Sequence, residues 1–190
     1  MELKVRKKYL VEEYEINPST YMLIPYIREN ELWTRVVEDD CYVLTPESPI
    51  KIINRCCSYN GTDFNGRRNG TKALINVTHK PPILLDPHTS IYIFPTKSPF
   101  HQDCIWIVAD QVEHYWKQDK STTLVEFQNK ETMEVPVSNY VFKSQISRAA
   151  ELRVKYERNK QRMVSYLSNP KTRLLYLEAS EYNETYDTNN

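Results

Sequence analysis

Glycine is the scarcest informative residue: this 190-residue chain has 3, against 11 prolines and 14 tyrosines. Nucleotide-binding loops need glycines in series, and neither GxGxxG nor GxxxxGK[ST] can be built from Gly61, Gly66 and Gly70. Long apolar runs are absent too. The longest, such as residues 105–109 and 91–94, fall far short of the ~20 residues a membrane span needs. No CxxC pair occurs among Cys41, Cys56, Cys57 and Cys104, which predicts reduced, buried thiols rather than a disulfide framework or a zinc site. The opening Met1-Glu2-Leu3-Lys4-Val5-Arg6-Lys7-Lys8 has no apolar stretch behind it, so a cytoplasmic location is expected.

Catalytic patterns are equally thin. His79, His88, His101 and His114 are dispersed, and His101-x-x-Cys104 is the one close pair with metal-like spacing. A Cys104, His79 and Asp86 trio can be composed, but no strained nucleophile motif accompanies it. The reading is a non-enzyme with no cofactor and no metal.

Charge is present in balance but not in mixture. Lys plus Arg and Asp plus Glu both number 25, for a net charge of zero. Yet residues 51–80 carry 6 basic side chains against 1 acidic, and residues 143–173 carry 9 against 2. Local patches, not mean charge, attract polyanions. The first block contains Asn60-Gly61, Asn65-Gly66 and Asn69-Gly70, three local turn signals, which place Arg67 and Arg68 at the tip of a basic turn spanning residues 55–80. A solvated surface loop would have the same composition. In the second block, Ser138 suits an N-cap, and Phe142, Ile146, Ala149, Leu152 and Tyr156 recur as one helical apolar stripe. Lys143, Arg148, Arg153, Lys155, Arg158, Lys160 and Arg162 fill the other positions. Such a helix packs by its stripe; its cations suit a nucleic-acid backbone, an acidic surface or the acidic residues near the C-terminus.

Elsewhere the chain reads as β. Residues 91–95 and 104–108 are short apolar runs, and residues 122–128 and 132–137 alternate around Asn129-Lys130-Glu131 as a hairpin. Residues 21–27, 32–37, 41–44 and 50–54 are further candidate strands. Lys80-Pro81-Pro82 forces extended backbone toward Ile83. The expected class is α+β: a mainly antiparallel β-sheet domain over residues 1–137, a basic amphipathic helical region over 138–178, and a frayed acidic tail over 179–190.

Several strings in series carry a resemblance. They are Gly66-Arg67-Arg68-Asn69-Gly70-Thr71, Thr78-His79-Lys80-Pro81-Pro82-Ile83, Asp86-Pro87, Ile93-Phe94-Pro95-Thr96, Cys104-x-Trp106-Ile107 and Phe127-x-Asn129-x-x-Thr132-Met133-Glu134-x-Pro136-x-Ser138. Together, over roughly residues 12–165, they closely resemble the ComK family of competence transcription factors of Gram-positive bacteria. The resemblance implies a cytoplasmic, nucleoid-associated activator of DNA-uptake genes that binds paired A/T-rich promoter boxes of double-stranded DNA from the minor groove. It also implies a homodimer or dimer of dimers that assists RNA polymerase, with no membrane contact. On that basis Arg67 and Arg68 suit groove insertion, because a narrow A-tract minor groove attracts arginine. Arg55, Lys72, Lys80, Arg148, Arg153 and Lys155 suit phosphate contacts, which position without reading sequence.

Family members are also recruited to an adaptor-guided protease, and Met163-Val164-Ser165-Tyr166-Leu167-Ser168-Asn169-Pro170-Lys171 is loosely similar to the motif involved. Two rival readings remain. One is a degenerate paralogue that works through the adaptor or polymerase without reading DNA. The other is RNA binding, with Tyr59 and Phe64 as stacking aromatics beside the basic block.

Overall fold

The computed structural model describes residues 7–168. Among the described residues, ten strands form two sheets, and three α-helices pack on them. The larger sheet has seven strands: β1 (Lys7–Leu10), β2 (Thr20–Arg28), β3 (Glu31–Glu38), β4 (Cys41–Thr45), β5 (Ile83–Asp86), β6 (Ile91–Pro95) and β7 (Trp106–Val108). Their order is β1-β4-β3-β2-β7-β6-β5, antiparallel except for the β1–β4 pair. The smaller sheet joins β8 (Val112–Lys117), β9 (Thr123–Phe127) and β10 (Thr132–Val135), all antiparallel. Helix α1 spans Pro49–Tyr59, α2 spans Phe64–Ile75 and α3 spans Asn139–Ser168.

Period-2 alternation explains the layers. Successive side chains of a strand point to opposite faces. On β2, β3, β6 and β7, Leu23, Val36, Ile93 and Trp106 therefore face one way and Met22, Val37, Phe94 and Ile107 the other. The first set packs with Ile52, Ile53, Cys56 and Cys57 of α1 and Phe64 of α2. The second packs with Val125, Phe127 and Val135 of the smaller sheet and with Phe142 and Ala149 of α3. Strands β6 and β7 are buried on both faces, as their uninterrupted apolar runs require. Within residues 7–155 the result is three layers: α1 and α2, the large sheet, then the small sheet with the first half of α3.

Two compact units divide the chain, residues 1–155 and 156–190, with the boundary inside α3. The expected frayed tail at 179–190, and the helical region from 169 to 178, lie outside the described residues.

The α+β reading holds, with its antiparallel sheet followed by a basic helix. The strands expected at 21–27, 32–37, 41–44, 91–95 and 104–108 and the 122–137 hairpin are all present. Two expectations need correction. Residues 50–54 are helix, not strand: Pro49 opens α1, and Ile52, Ile53, Cys56 and Cys57 recur at helical spacing against the sheet. Most of the basic turn expected at 55–80 is likewise helix, the end of α1 and all of α2. Only Asn60-Gly61 turns, with Gly61 at φ +68°. Asn65-Gly66 and Asn69-Gly70 lie inside α2, where burial of Phe64, Thr71 and Ile75 on one face outweighs the turn preference.

Candidate nucleic-acid interface

Helix α2 is set by local bonds at both ends. Asp63 caps it, its Oδ1 accepting from the Gly66 N–H at 2.6 Å, and Asn54 Oδ1 accepts from the Phe64 N–H at 3.1 Å. At its end Asn76 adopts φ +55° and donates to the Lys72 carbonyl, and the Thr71 hydroxyl donates to the Pro82 carbonyl at 2.7 Å. With Phe64, Thr71 and Ile75 buried, the opposite face carries Asn65, Gly66, Asn69, Gly70 and Ala73, all exposed. That face is nearly bare of side-chain bulk, and a Cβ at Gly70 would meet nothing within 4 Å.

Cations flank the bare face. Arg67 and Arg68 are therefore helical, not at a loop tip. Arg68 bonds Asn65 Oδ1 at 3.4 Å, and its guanidinium lies 5.6 Å from the Phe64 ring centroid. Arg67 flanks the other side, close to Cys57. Burial pushes that thiol up to about 11, while the Arg67 charge and hydrogen bond pull it the other way. Beside Arg68 lies a cleft of about 210 Å³ lined by Arg68, Asn69, Lys72, Val77, Thr78 and Pro81.

The second basic block reaches this surface through α3. Ser138 behaves as an N-cap, its Oγ accepting from the Val141 N–H at 3.4 Å. Phe142, Ala149 and Leu152 are buried as the stripe predicts, with Ile146 packed at the margin. Between them the buried Gln145 donates to the Lys80 carbonyl at 3.0 Å and the Pro95 carbonyl at 2.6 Å. Arg148 donates to Gln145 Oε1 at 3.1 Å and to the His79 carbonyl at 3.3 Å. These bonds hold Lys80 at φ +49°, an uncommon conformation for a residue with a Cβ. Arg68, Lys72, Lys80 and Arg148 are thus carried by three segments that are bonded to one another through Thr71–Pro82, Gln145–Lys80 and Arg148–His79.

The remaining expected contacts are differently engaged. Arg55 is paired with the buried Glu47 and donates to the Tyr14 carbonyl at 2.6 Å, with a side chain only 18% exposed. Burial alone would raise the Glu47 pKa, but Arg55, the Tyr14 N–H and Lys51 hold it below its usual value. Arg55 therefore ties α1 to the chain before β2. Arg153 is paired with Asp110 and its guanidinium lies 4.8 Å from the Tyr92 ring centroid. Lys155 pairs with Glu151 at 3.1 Å. Sequence reasoning missed Gln145, whose polar side chain interrupts an apolar stripe; that interruption was the available signal.

Two members of the Cys104, His79 and Asp86 trio have other engagements. Burial pushes the Cys104 thiol up to about 11, and Asp86 accepts from the Thr89 hydroxyl and the His88 N–H. Among the described residues, no group of three or more His, Cys, Asp or Glu side chains is placed to hold a metal. No helix among them is long and apolar enough to cross a membrane.

Fold and surface together define an α+β protein whose most distinctive surface is a bare helix face bordered by cations. The sequence model of the ComK protein family matches residues 11–161. The chain belongs to the ComK family. It is 31% identical over 173 residues to the competence transcription factor of Bacillus subtilis (strain 168), covering 87% of this chain and 90% of the relative. No solved structure matches it. Membership and this relative support a regulator of transcription in competence.

Proposed function

We propose that the chain is a competence transcription regulator that binds A/T-rich duplex DNA through α2 and the cations beside it. The observation that carries this reading is the exposed face Asn65, Gly66, Asn69, Gly70 and Ala73, with Arg67 on one flank and Arg68 and Lys72 on the other. A helix about 10–12 Å across cannot enter a minor groove about 6 Å wide. Its flanking arginines can. With glycines on the facing surface, the α2 backbone can lie close to the groove mouth while Arg68 reaches into the negative potential of a narrow A/T tract. Lys72, Lys80 and Arg148 then meet phosphates along the rim.

Paired boxes call for more than one copy, and activation calls for contact with RNA polymerase; both belong to this reading, as does action at the nucleoid. A contact with a protease adaptor would use the exposed apolar Met163, Val164 and Leu167 of α3, which are 62%, 54% and 84% exposed.

Fluorescence anisotropy with a labelled duplex carrying two A/T boxes tests the proposal, beside a G/C-substituted duplex and a minor-groove competitor. Binding should favour the A/T duplex, yield to the competitor and weaken steeply with salt. Arg68→Ala should erase the A/T preference, whereas Arg148→Ala should weaken both duplexes alike. Absence of duplex binding by the folded chain at moderate salt would leave protein contacts as its mode of action.

A further inference from the structure

A second cationic cleft lies away from α2. It is an open depression of about 420 Å³ between the β8–β9 turn and the first turns of α3, lined by Lys117, Asp119, Lys120, Ser138, Asn139, Tyr140 and Lys143. Residues 81–142 are acidic in sum, with 4 basic and 8 acidic side chains, so Lys117 and Lys120 disappear from any segment average. Folding brings them beside Lys143, from the basic block.

Three features separate this cleft from an ordinary solvated surface. First, none of the three lysines has a carboxylate within ion-pair distance among the described residues, a property they share with Lys72 and Lys80 beside α2, whereas Lys51, Lys97, Lys130, Lys155 and Lys160 all do. Second, the one acidic lining residue is already engaged. Asp119 accepts from the Ser121 N–H at 2.7 Å, the Ser121 hydroxyl at 3.1 Å and the Thr122 N–H at 2.7 Å, and these bonds hold its carboxyl below its usual pKa. Asp119 stays ionised in these bonds and pairs with none of the lysines, and three lysines against one carboxylate leave the lining net positive. Third, Tyr140 stands at the rim 84% exposed, a large side chain with a hydroxyl and no core to fill.

Resting on the DNA reading above, we propose that Lys117, Lys120 and Lys143 form a second phosphate-binding site, which grips the backbone of the same duplex that α2 reads. Lys143 and Arg148 share α3 and are five residues apart, about 7.5 Å along its axis. A duplex carries one charge per 1.7 Å of its own axis, so a single segment presents phosphates to both flanks of the helix. A lysine is a point charge on a flexible stem, suited to a phosphate and unsuited to reading a base edge. The site therefore adds affinity without sequence preference.

The test is a Lys117→Gln/Lys120→Gln/Lys143→Gln variant of the full chain, titrated on A/T-box and G/C-substituted duplexes from 50 to 200 mM salt. A Lys7→Gln/Lys8→Gln/Lys130→Gln variant removes the same formal charge elsewhere. All six lysines are exposed, and a thermal melt confirms that each variant folds. Each lost phosphate contact lowers the slope of log affinity against log salt by about 0.9, so the cleft variant should be flatter by about two to three. Both duplexes should weaken alike, and the control variant should keep the wild-type slope. If the wild type binds and an Arg68→Ala/Lys72→Gln variant loses binding while the cleft variant keeps its slope, the second site is refuted and the DNA reading stands. Equal flattening in the control variant also refutes it, because the effect would be one of net charge. Failure of the wild type to bind duplex overturns both readings.

Discussion

Gly70→Ala separates the fold's interest at a position from the surface's interest. Gly70 lies inside α2, five residues before its last residue, and an added Cβ meets nothing within 4 Å. Alanine in a helix interior is favoured over glycine by about 0.8–1.0 kcal/mol, partly because the unfolded chain has less freedom to lose. For a chain of this size, 1 kcal/mol raises the melting temperature by about 2–4 °C. The fold alone would therefore prefer alanine. If α2 lies against a groove, the new methyl enters the space its bare face leaves for DNA, and overpacking of that kind costs about 1–3 kcal/mol. The variant should melt 2–4 °C higher in a thermal scan and bind the A/T-box duplex about tenfold more weakly by anisotropy. A higher melting temperature with unchanged affinity would show that the glycine face does not approach DNA. Gly66→Ala cannot make the same distinction. A Cβ there would sit 2.4 Å from Thr62 Oγ1 and 3.3 Å from Asp63 Oδ1, the oxygen that caps the helix, so fold and surface would change together.

Two further outcomes follow from the supporting structure. The depressed Glu47 pKa means that its pairing with Arg55 stabilises the fold fully above its unfolded value near 4.5 and that this contribution is lost as pH falls through the lower folded value. The urea midpoint of the wild type should therefore fall below pH 4.5; Glu47→Gln should lower the unfolding free energy by about 3 kcal/mol at pH 6 and flatten the acid dependence, and a variant that matches the wild type at pH 6 would discount the pair. Gln145→Leu keeps the volume but orphans the Lys80 and Pro95 carbonyls, which should cost about 2–3 kcal/mol in urea unfolding, with an unchanged midpoint counting against the anchoring role.

Strands were legible where apolar and polar residues alternate or where apolar runs are short and bounded, because burial imposes those patterns directly. The β9–β10 hairpin, Thr123–Phe127 and Thr132–Val135, is one such case. Helix α2 was not legible, because its signals conflict. Asn-Gly steps favour turns in an isolated peptide, whereas the only helical signal is the sparse set Phe64, Thr71 and Ile75, and tertiary packing decides between them. Strands β1 and β8 also escaped notice: β1 is exposed throughout and β8 has no buried residue, so neither shows the alternation that betrays a strand. Among the candidate cations, charge density located the two blocks but could not distinguish Arg68, beside a cleft, from Arg55, whose guanidinium is taken by Glu47. Partner choice depends on which carboxylates the fold brings near, and Glu47 is not visible as a partner until α1 is known to be a helix.

That dependence bears on how the surface is built. Lys72 with Arg67 and Arg68 on α2, and Lys143 with Arg148 on the first half of α3, belong to elements on opposite faces of the large sheet, α2 packing on one core and the start of α3 on the other. Nothing in the packing of either helix requires their charges to be neighbours. The link is polar: Thr71 to Pro82 from one side, Gln145 to Lys80 and Arg148 to His79 from the other. All three bonds end on backbone carbonyls of residues 79–82, where Pro81 and Pro82 supply no N–H and the Lys80 backbone is held at positive φ. The Lys80-Pro81-Pro82 segment thus acts as a rigid strut between two helices that share no core. On the proposed DNA reading, a duplex spanning Arg68 and Arg148 would be gripped by charges whose separation that strut fixes, so the prolines would contribute to recognition by position.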